Sequence, residues 1–227
     1  MTTADSARER ALVQVQALSG ALFALFLVVH IGNQTLAVLG PDRYDAAQAE
    51  LRRFYQSPLV ELSLVAGALV VHIAASVWRI VRRRRRGGAA PANLRARLQR
   101  YSAYFLLASV LGHVFATRGI ALIYDAPLGF DGLAYTMVVA GFFFVPYYFL
   151  LGTSGLYHLV NGLTFALPRL GLRLPAAARS DRLVAALGIA GVLAIGLAVA
   201  GLAGVFHDVE ARALSSRTAE VFGEILP

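Results

Sequence analysis

The sequence predicts an all-α integral membrane protein: one domain, residues 1–227, forming a bundle of five transmembrane helices with a cytoplasmic N-terminus and a C-terminus outside. Hydrophobic residues make up 58% of the chain and charged residues 15%, whereas about a quarter of a soluble domain is charged. Several apolar runs are as long as the roughly 20 residues that a helix needs to cross a bilayer. The basic residues lie beside these runs, where they mark the cytoplasmic side.

The first apolar run has no charged side chain between Arg10 and Asp42. Gly40-Pro41 ends that helix, and residues 42–55 form a short surface helix. Pro58 suits the first turn of the second helix, and Pro146 kinks the fourth because it removes a backbone donor. The fifth helix consists almost wholly of small and aliphatic residues. The predicted spans are residues 12–39, 58–81, 101–124, 133–167 and 183–206.

Two basic connections, VWRIVRRRRRGG and PRLGLRLPAAARSDR, predict the orientation, because arginine accumulates in cytoplasmic loops. The net charge of +8 therefore indicates contact with membrane lipids or an acidic partner, not with nucleic acid. The first residues, MTTADSARERALVQ, lack the pattern of a cleaved signal peptide. The sequence has no cysteine, which excludes disulfides, thiol catalysis and cysteine-ligated clusters.

Each of the first four helices carries one histidine within its apolar run, where an ionisable side chain is costly and suggests a function. These residues are His30, His72, His113 and His158. With a rise of about 1.5 Å per residue, His30 and His113 lie toward the outside, and His72 and His158 toward the cytoplasm. His207 follows the fifth helix beside Asp208 and is expected to be a solvated boundary residue.

Two histidines at one depth on different helices are the arrangement that bis-imidazole haem ligation requires. The sequence thus predicts two haem b groups and electron transfer. The simpler interpretation is that each ring hydrogen-bonds to a neighbouring helix. Arg79, seven residues after His72, is placed either for a haem propionate or as an ordinary cytoplasmic charge. Arg118 lies outward of His113, and Gly112 and Gly155 flank ligand turns where a side chain would meet a ring.

Several segments resemble the b558-type cytochrome b subunit of succinate dehydrogenases and fumarate reductases. They are SG followed by FLVVHIGNQ, then LGPDRYDAAQAEL, RYSAYFLLASVLGHVFATR and GLYHLVNGL. The resemblance spans nearly the whole chain, although the element at His30 reads H-x-G-N, one residue shorter than in the family. It implies a di-haem anchor in the bacterial cytoplasmic membrane for a flavoprotein (FAD) subunit and an iron–sulfur subunit.

Under that resemblance His72 and His158 hold the haem nearer the iron–sulfur clusters, and His30 and His113 hold the distal one. Electrons pass between succinate or fumarate and a quinone, with menaquinone favoured for two-haem members. A quinone near the distal haem needs polar groups at that depth. The candidates are Asn33, Gln34, Arg118 and Glu61; alternatively Asn33 and Gln34 cap the helix, and Arg118 pairs with a propionate.

Two other functions remain open from the sequence. One is the di-haem cytochrome b subunit of another membrane oxidoreductase, of the hydrogenase or nitrate reductase type. Those subunits commonly place two histidines on one helix, whereas here each of four helices carries one. The other is a non-redox membrane scaffold or transporter, in which the histidines are polar contacts between helices.

Overall fold

A computed structural model of the chain describes residues 3–87, 93–176 and 180–225, and all the regular structure in these residues is helical. Five helices are long and apolar enough to cross a membrane, which confirms the predicted number. The two basic connections fall partly outside the described residues, at 88–92 and 177–179. The helices are α1 (Thr3–Thr35), α2 (Pro41–Tyr55), α3 (Pro58–Arg85), α4 (Leu94–Tyr124), α5 (Phe130–Arg169), α6 (Asp181–Leu202), α7 (Glu210–Leu214) and α8 (Arg217–Ile225).

The helices extend beyond the apolar runs at the basic end of the bundle. The first begins at Thr3 and not near residue 12, because nothing in its polar first turns breaks a helix. The third membrane helix, α4, starts at Leu94, seven residues before the predicted 101. Asn93 caps it there, accepting a hydrogen bond from the backbone N–H of Ala96 at 2.8 Å. Hydropathy therefore predicted the five long helices and missed the polar turns that extend them at the arginine-rich end.

At the other end, backbone conformation determines where the helices stop. A 3₁₀ turn, Leu36–Leu39, follows α1, and Gly40 then adopts a φ of +94°, which favours glycine. Pro41 occupies the first turn of the predicted surface helix, whose bounds, Pro41–Tyr55, agree with the prediction. The fifth long helix ends at Leu202, four residues before the predicted 206, because the chain turns at Gly204 (φ +84°).

The kink in α5 lies at Ala140 and not at Pro146, where the sequence predicted it. Ala140 has a φ of −145° and a ψ of 46°, outside the helical region. Pro146 offers no N–H to the carbonyl of Phe142, and its ring crowds that carbonyl. The bend at Ala140 lies six residues before Pro146 and next to Gly141, which has no side chain to obstruct it.

Four helices, α1, α3, α4 and α5, surround an internal cavity, because α1 packs on α3 and α5 while α5 also packs on α4 and α6. The largest cluster of buried side chains lies at one end, where α2 and the C-terminal helices cover the bundle; it includes Tyr44, Phe130 and Leu202. We name this the cap end. The opposite end carries Arg82–Arg86, and we name it the arginine end.

The residues after α6, which the sequence presents as a polar tail from His207, form two short helices that are part of the cap end. Val209 and Ala213 are four residues apart and buried, and Val221 of α8 is fully buried. Arg212 also pairs with Asp131 of α5 at 3.1 Å. In the sequence these apolar residues recur at helical intervals. The segment as a whole is polar, however, so packing against the bundle was not predicted there.

Candidate functional site

All four intramembrane histidines face the same cavity, which has a volume of about 1380 Å³ and predominantly apolar walls. A single small-molecule pocket usually measures about 300–1,000 Å³. The cavity runs from the polar side chains of α2 at the cap end to the guanidinium groups of α3 at the arginine end. It therefore has room for more than one flat cofactor along the bundle.

The structure places the histidines in two pairs, as their depths predicted. The ring centroids of His30 and His113 are 6.1 Å apart, with an angle of 71° between the ring planes. The centroids of His72 and His158 are 6.3 Å apart, with an angle of 82°. A metal–imidazole nitrogen bond is about 2 Å and that nitrogen lies about 1 Å from the ring centre, so two rings on opposite sides of one ion have centroids about 6 Å apart.

Among the described residues, no three histidine or carboxylate side chains come together at a point where a metal ion could sit. The donor set therefore consists of two pairs of imidazoles. Each pair would hold one haem iron through two imidazole nitrogens, if haem is bound there. These side chains fit two haem groups better than a metal site built from protein ligands alone.

The His72 ring has a fixed proton position. Its Nδ1 lies 3.1 Å from the carbonyl oxygen of Gln16, and because a carbonyl can only accept, Nδ1 carries the hydrogen. The Nε2 atom keeps its lone pair, as a metal ligand must. The Gln16 side chain is held in turn: it donates to the hydroxyl of Ser76 at 2.7 Å and accepts from Arg79.

The His158 ring contacts a larger network from α4. Ser102 Oγ lies 3.3 Å from His158 Nδ1 and donates its own proton to the backbone carbonyl of Gln99 at 3.1 Å. The Gln99 amide nitrogen lies 3.1 Å from the same ring nitrogen and donates to the His158 carbonyl at 3.2 Å. Asn161, fully buried, donates to Gln99 at 2.8 Å and accepts from Arg95.

The cap-end pair is held by aromatic contacts. Phe26 stacks on His30 with centroids 5.2 Å apart, and the ring of Tyr55 meets the other side of Phe26, also at 5.2 Å. Within the described part of the chain, neither His30 nor His113 has a hydrogen bond through its ring nitrogens. The orientation of these two rings is therefore set by shape.

The two predicted cofactor-binding arginines both have protein partners. Arg79 bonds Gln16 and pairs with Glu9 at 3.5 Å, and it lines the arginine end of the cavity. Arg118 forms a bidentate pair with Glu61, at 2.5 and 2.7 Å, on the cap-end wall. Both residues of this pair lie in short π-helical segments of α3 and α4, and such segments are frequent at functional sites.

The other two candidate quinone residues differ in their access to the cavity. Asn33 is 3% exposed, donates to Gln48 of α2 at 2.5 Å and is not part of the cavity wall. Gln34 lines the cavity and accepts from the hydroxyl of Tyr44 at 2.9 Å. Asn33 therefore joins α1 to α2, whereas Gln34, Glu61 and Arg118 share the cap-end wall.

Sequence reasoning missed the contribution of α2 to this wall. Its inner face supplies four polar side chains, whose amphipathic spacing was a usable signal. Burial raises the pKa of Tyr55, which lies between Phe26 and the Glu61–Arg118 pair. These wall residues are Tyr44, Gln48, Arg52 and Tyr55.

Two smaller predictions were wrong. A Cβ at Gly112 would meet nothing within 4 Å and one at Gly155 only Ile31 at 3.8 Å, whereas a Cβ at Gly20 would lie 2.8 Å from the His72 ring. The glycine that makes room for a histidine thus lies on the facing helix. His207 is not a solvated boundary residue: it is half-buried, and its Nε2 donates to the carbonyl of Val38 at 3.0 Å.

Comparison of the chain with protein-family models, with curated proteins and with solved structures finds no match.

Proposed function

We propose that this chain is a di-haem cytochrome b, the membrane anchor of a succinate:quinone oxidoreductase or quinol:fumarate reductase. The observation that carries the proposal is the arrangement of the four histidines in two pairs, 6.1 and 6.3 Å apart, along one cavity. When bound, each haem supplies a one-electron carrier without an open coordination site. The two pairs lie one after the other along the bundle, and this arrangement suits electron passage across the membrane.

The residues of the chain have distinct tasks under this proposal. His72 and His158 hold the haem at the arginine end, and His30 and His113 hold the one at the cap end. Gln16 orients His72 through its backbone carbonyl, while Ser102 and Gln99 contact Nδ1 of His158. The walls around both positions are predominantly apolar.

The arginine end is the proposed docking side for the iron–sulfur subunit, which carries the flavoprotein subunit with it. By the positive-inside rule this end is cytoplasmic. Its guanidinium groups suit acidic protein surfaces and anionic lipid headgroups of the bacterial cytoplasmic membrane. Neutralising Arg82–Arg86 is expected to weaken assembly or invert the topology.

The proposed quinone position, with menaquinone favoured, is the cap-end wall beside the His30–His113 pair. Arg118 and Gln34 offer donors to a quinone carbonyl, and Glu61 is placed to exchange the accompanying proton. Asn33 supports this wall through Gln48. Electron transfer from the arginine end to this wall moves charge across the bilayer, worth about 2.3 kcal/mol per charge per 100 mV.

The pyridine haemochrome assay on the purified chain tests the proposal directly, with an expected result of about two haems per chain. A chain that contains no haem would refute it. Co-purification of covalent or bound flavin and succinate-dependent dye reduction then distinguish this complex from another membrane oxidoreductase.

The quinone position has its own test. Gln34→Leu or Arg118→Leu is expected to lower quinone-linked turnover and to leave succinate oxidation by a soluble dye intact. Equal survival of both activities, with unchanged haem content, would place the quinone elsewhere.

A further inference from the structure

The network beside His158 fixes the direction of every amide in it. Arg95 has only donors, so the Asn161 atom that faces it is the carbonyl oxygen Oδ1. The Asn161 amide nitrogen must therefore face Gln99, which presents its own oxygen, Oε1, at 2.8 Å. Gln99 is left with its amide nitrogen toward His158, 3.1 Å from Nδ1.

Because the Gln99 amide points in this direction, its oxygen cannot accept a hydrogen bond from Nδ1 of His158. A ring that binds metal through Nε2 carries its proton on Nδ1. For His72 the acceptor of that proton is the backbone carbonyl of Gln16, whereas the groups within reach of His158 Nδ1 are the Ser102 hydroxyl at 3.3 Å and the Gln99 amide nitrogen, which can only donate, at 3.1 Å. The Gln99 side-chain oxygen, which would be the better acceptor, is turned away because it accepts from Asn161 while the amide nitrogen donates to the His158 backbone carbonyl.

We propose that Asn161 is a positioning residue that sets the electron affinity of the haem at the arginine end by determining which end of the Gln99 amide faces His158. The inference rests on the proposed haem function and deepens it. Asn161 is fully buried and is not part of the cavity wall, so its link to the His158 ring runs through Gln99. A ligand ring that donates to a better acceptor is more basic, and a more basic ligand favours oxidised iron.

Asn161→Asp is a nearly isosteric test of this inference. A carboxylate can accept from Arg95 but has no donor for Gln99, so the Gln99 amide is expected to turn and to present Oε1 to His158 Nδ1. The reduction equilibrium of one haem should then shift toward the oxidised form by about tenfold, ~59 mV for one electron. The other haem should keep its potential.

Thr164→Asp is the matched control for the added charge. The Thr164 hydroxyl also accepts from Arg95, at 2.5 Å, and is not bonded to Gln99. The double variant Gln99→Leu/Asn161→Asp keeps the charge and removes the amide. Both controls should shift the potential less than Asn161→Asp, and Gln99→Glu, which places a carboxylate oxygen at His158 directly, should shift it in the same direction.

The experiment is a potentiometric titration of the α-band in purified wild-type and variant chains whose haem content has first been measured. If Asn161→Asp accumulates poorly, Gln99→Glu against Gln99→Leu gives the same comparison. Two haems in every variant with equal shifts in Asn161→Asp and Thr164→Asp, or with no shift, would overturn this inference alone. Absence of haem from the wild-type chain would overturn the proposed function and this inference with it.

Discussion

The His72–His158 and His30–His113 pairs have nearly the same ring separation, but different contacts hold them. At the arginine end each ring meets hydrogen-bonding groups of a neighbouring helix, the Gln16 carbonyl for His72 and the Ser102 hydroxyl for His158. At the cap end His30 lies against the face of Phe26. Hydrogen bonds are directional and fix both the rotation of a ring and the position of its proton, whereas stacking fixes only its plane.

The two ends should therefore respond to different kinds of substitution. Changes of polarity at the arginine end should alter the electron affinity of its haem, because they act on the ligand proton. Changes of size at the cap end should alter the affinity for its haem, because shape alone holds those rings. The first three predictions below test this division and the fourth tests the cap that covers one end, from the largest expected effect to the smallest.

Removal of one ligand should empty one end only. His72→Ala is expected to lower haem content from about two per chain to about one and to leave the cap-end haem reducible. His30→Ala should do the converse. Pyridine haemochrome assays with potentiometric titration of the remaining haem measure both results.

His207→Ala is the control for these two variants. His207 belongs to neither pair and bonds the carbonyl of Val38 in the cap, so its loss should leave both haems in place. Retention of two haems in His72→Ala would refute the assignment of that ligand. Equal haem loss in all three variants would indicate general destabilisation of the bundle.

A methyl group at Gly20 should disturb the arginine end selectively. A Cβ there would lie 2.8 Å from Cε1 and Nδ1 of His72, too close for any real contact, so the ring must move away from the Gln16 carbonyl. Overpacking of this kind costs about 1–3 kcal/mol, which corresponds to roughly tenfold to a hundredfold weaker haem binding at that end. Haem titration of the apo chain measures this effect.

Gly112→Ala is the matched control, because a Cβ at Gly112 meets nothing within 4 Å although its neighbour His113 is a proposed ligand. Haem binding at the cap end should be unchanged in it. Similar losses in both variants would show that helix glycines matter for stability and not for ring placement.

The sequence predicted the fold and the histidine pairs because both depend on regular geometry. The apolar runs define where each helix enters the membrane, and the rise per residue then gives the depth of each histidine. The partners of the rings were not predictable in this way. Gln16 and His72 are 56 residues apart, and a backbone carbonyl acceptor leaves no trace in the sequence.

Other residues of the site were recognised in the sequence one by one, but the contacts between them were not. Glu61 and Arg118 are opposite charges within membrane spans, and such charges tend to pair; the structure joins them at 2.5 Å. The inner face of α2 was visible as an amphipathic pattern but not as part of a cavity wall. The kink lies at Ala140, six residues before the proline at which the sequence predicted it, a position that composition alone does not specify.

Loss of the stacking ring should weaken only the cap end. Phe26→Leu keeps a similar apolar volume and removes the aromatic contact with His30, which is worth about 0.5–1.5 kcal/mol. Haem binding at the cap end is therefore expected to weaken several-fold, with unchanged binding at the arginine end in the same variant. An equal loss at both ends in the haem titration would contradict the division between shape and hydrogen bonding.

The smallest expected effect concerns the pH dependence of the cap itself. Asp45 of α2 accepts from the backbone N–H of Phe130 at 2.9 Å and so ties α2 to α5. Burial is the largest influence on this carboxyl and raises its pKa above the ordinary 3.8, with Asp131 acting in the same direction. The Phe130 N–H, Arg52 and Arg212 oppose the shift.

Because the folded-state pKa of Asp45 is raised, its ionised form is disfavoured in the closed cap, and the cap should become more stable as pH falls from 7 through that pKa. Hydrogen exchange of the Phe130 amide, corrected for its intrinsic rate at each pH, should therefore show greater protection at pH 5 than at pH 7. Asp45→Asn keeps the acceptor oxygen and should abolish this dependence. The arginine end supplies the control: the Ala96 amide donates to the uncharged side chain of Asn93 and should not respond to pH. A parallel pH response of Phe130 in the wild type and in Asp45→Asn would show that another group controls the cap.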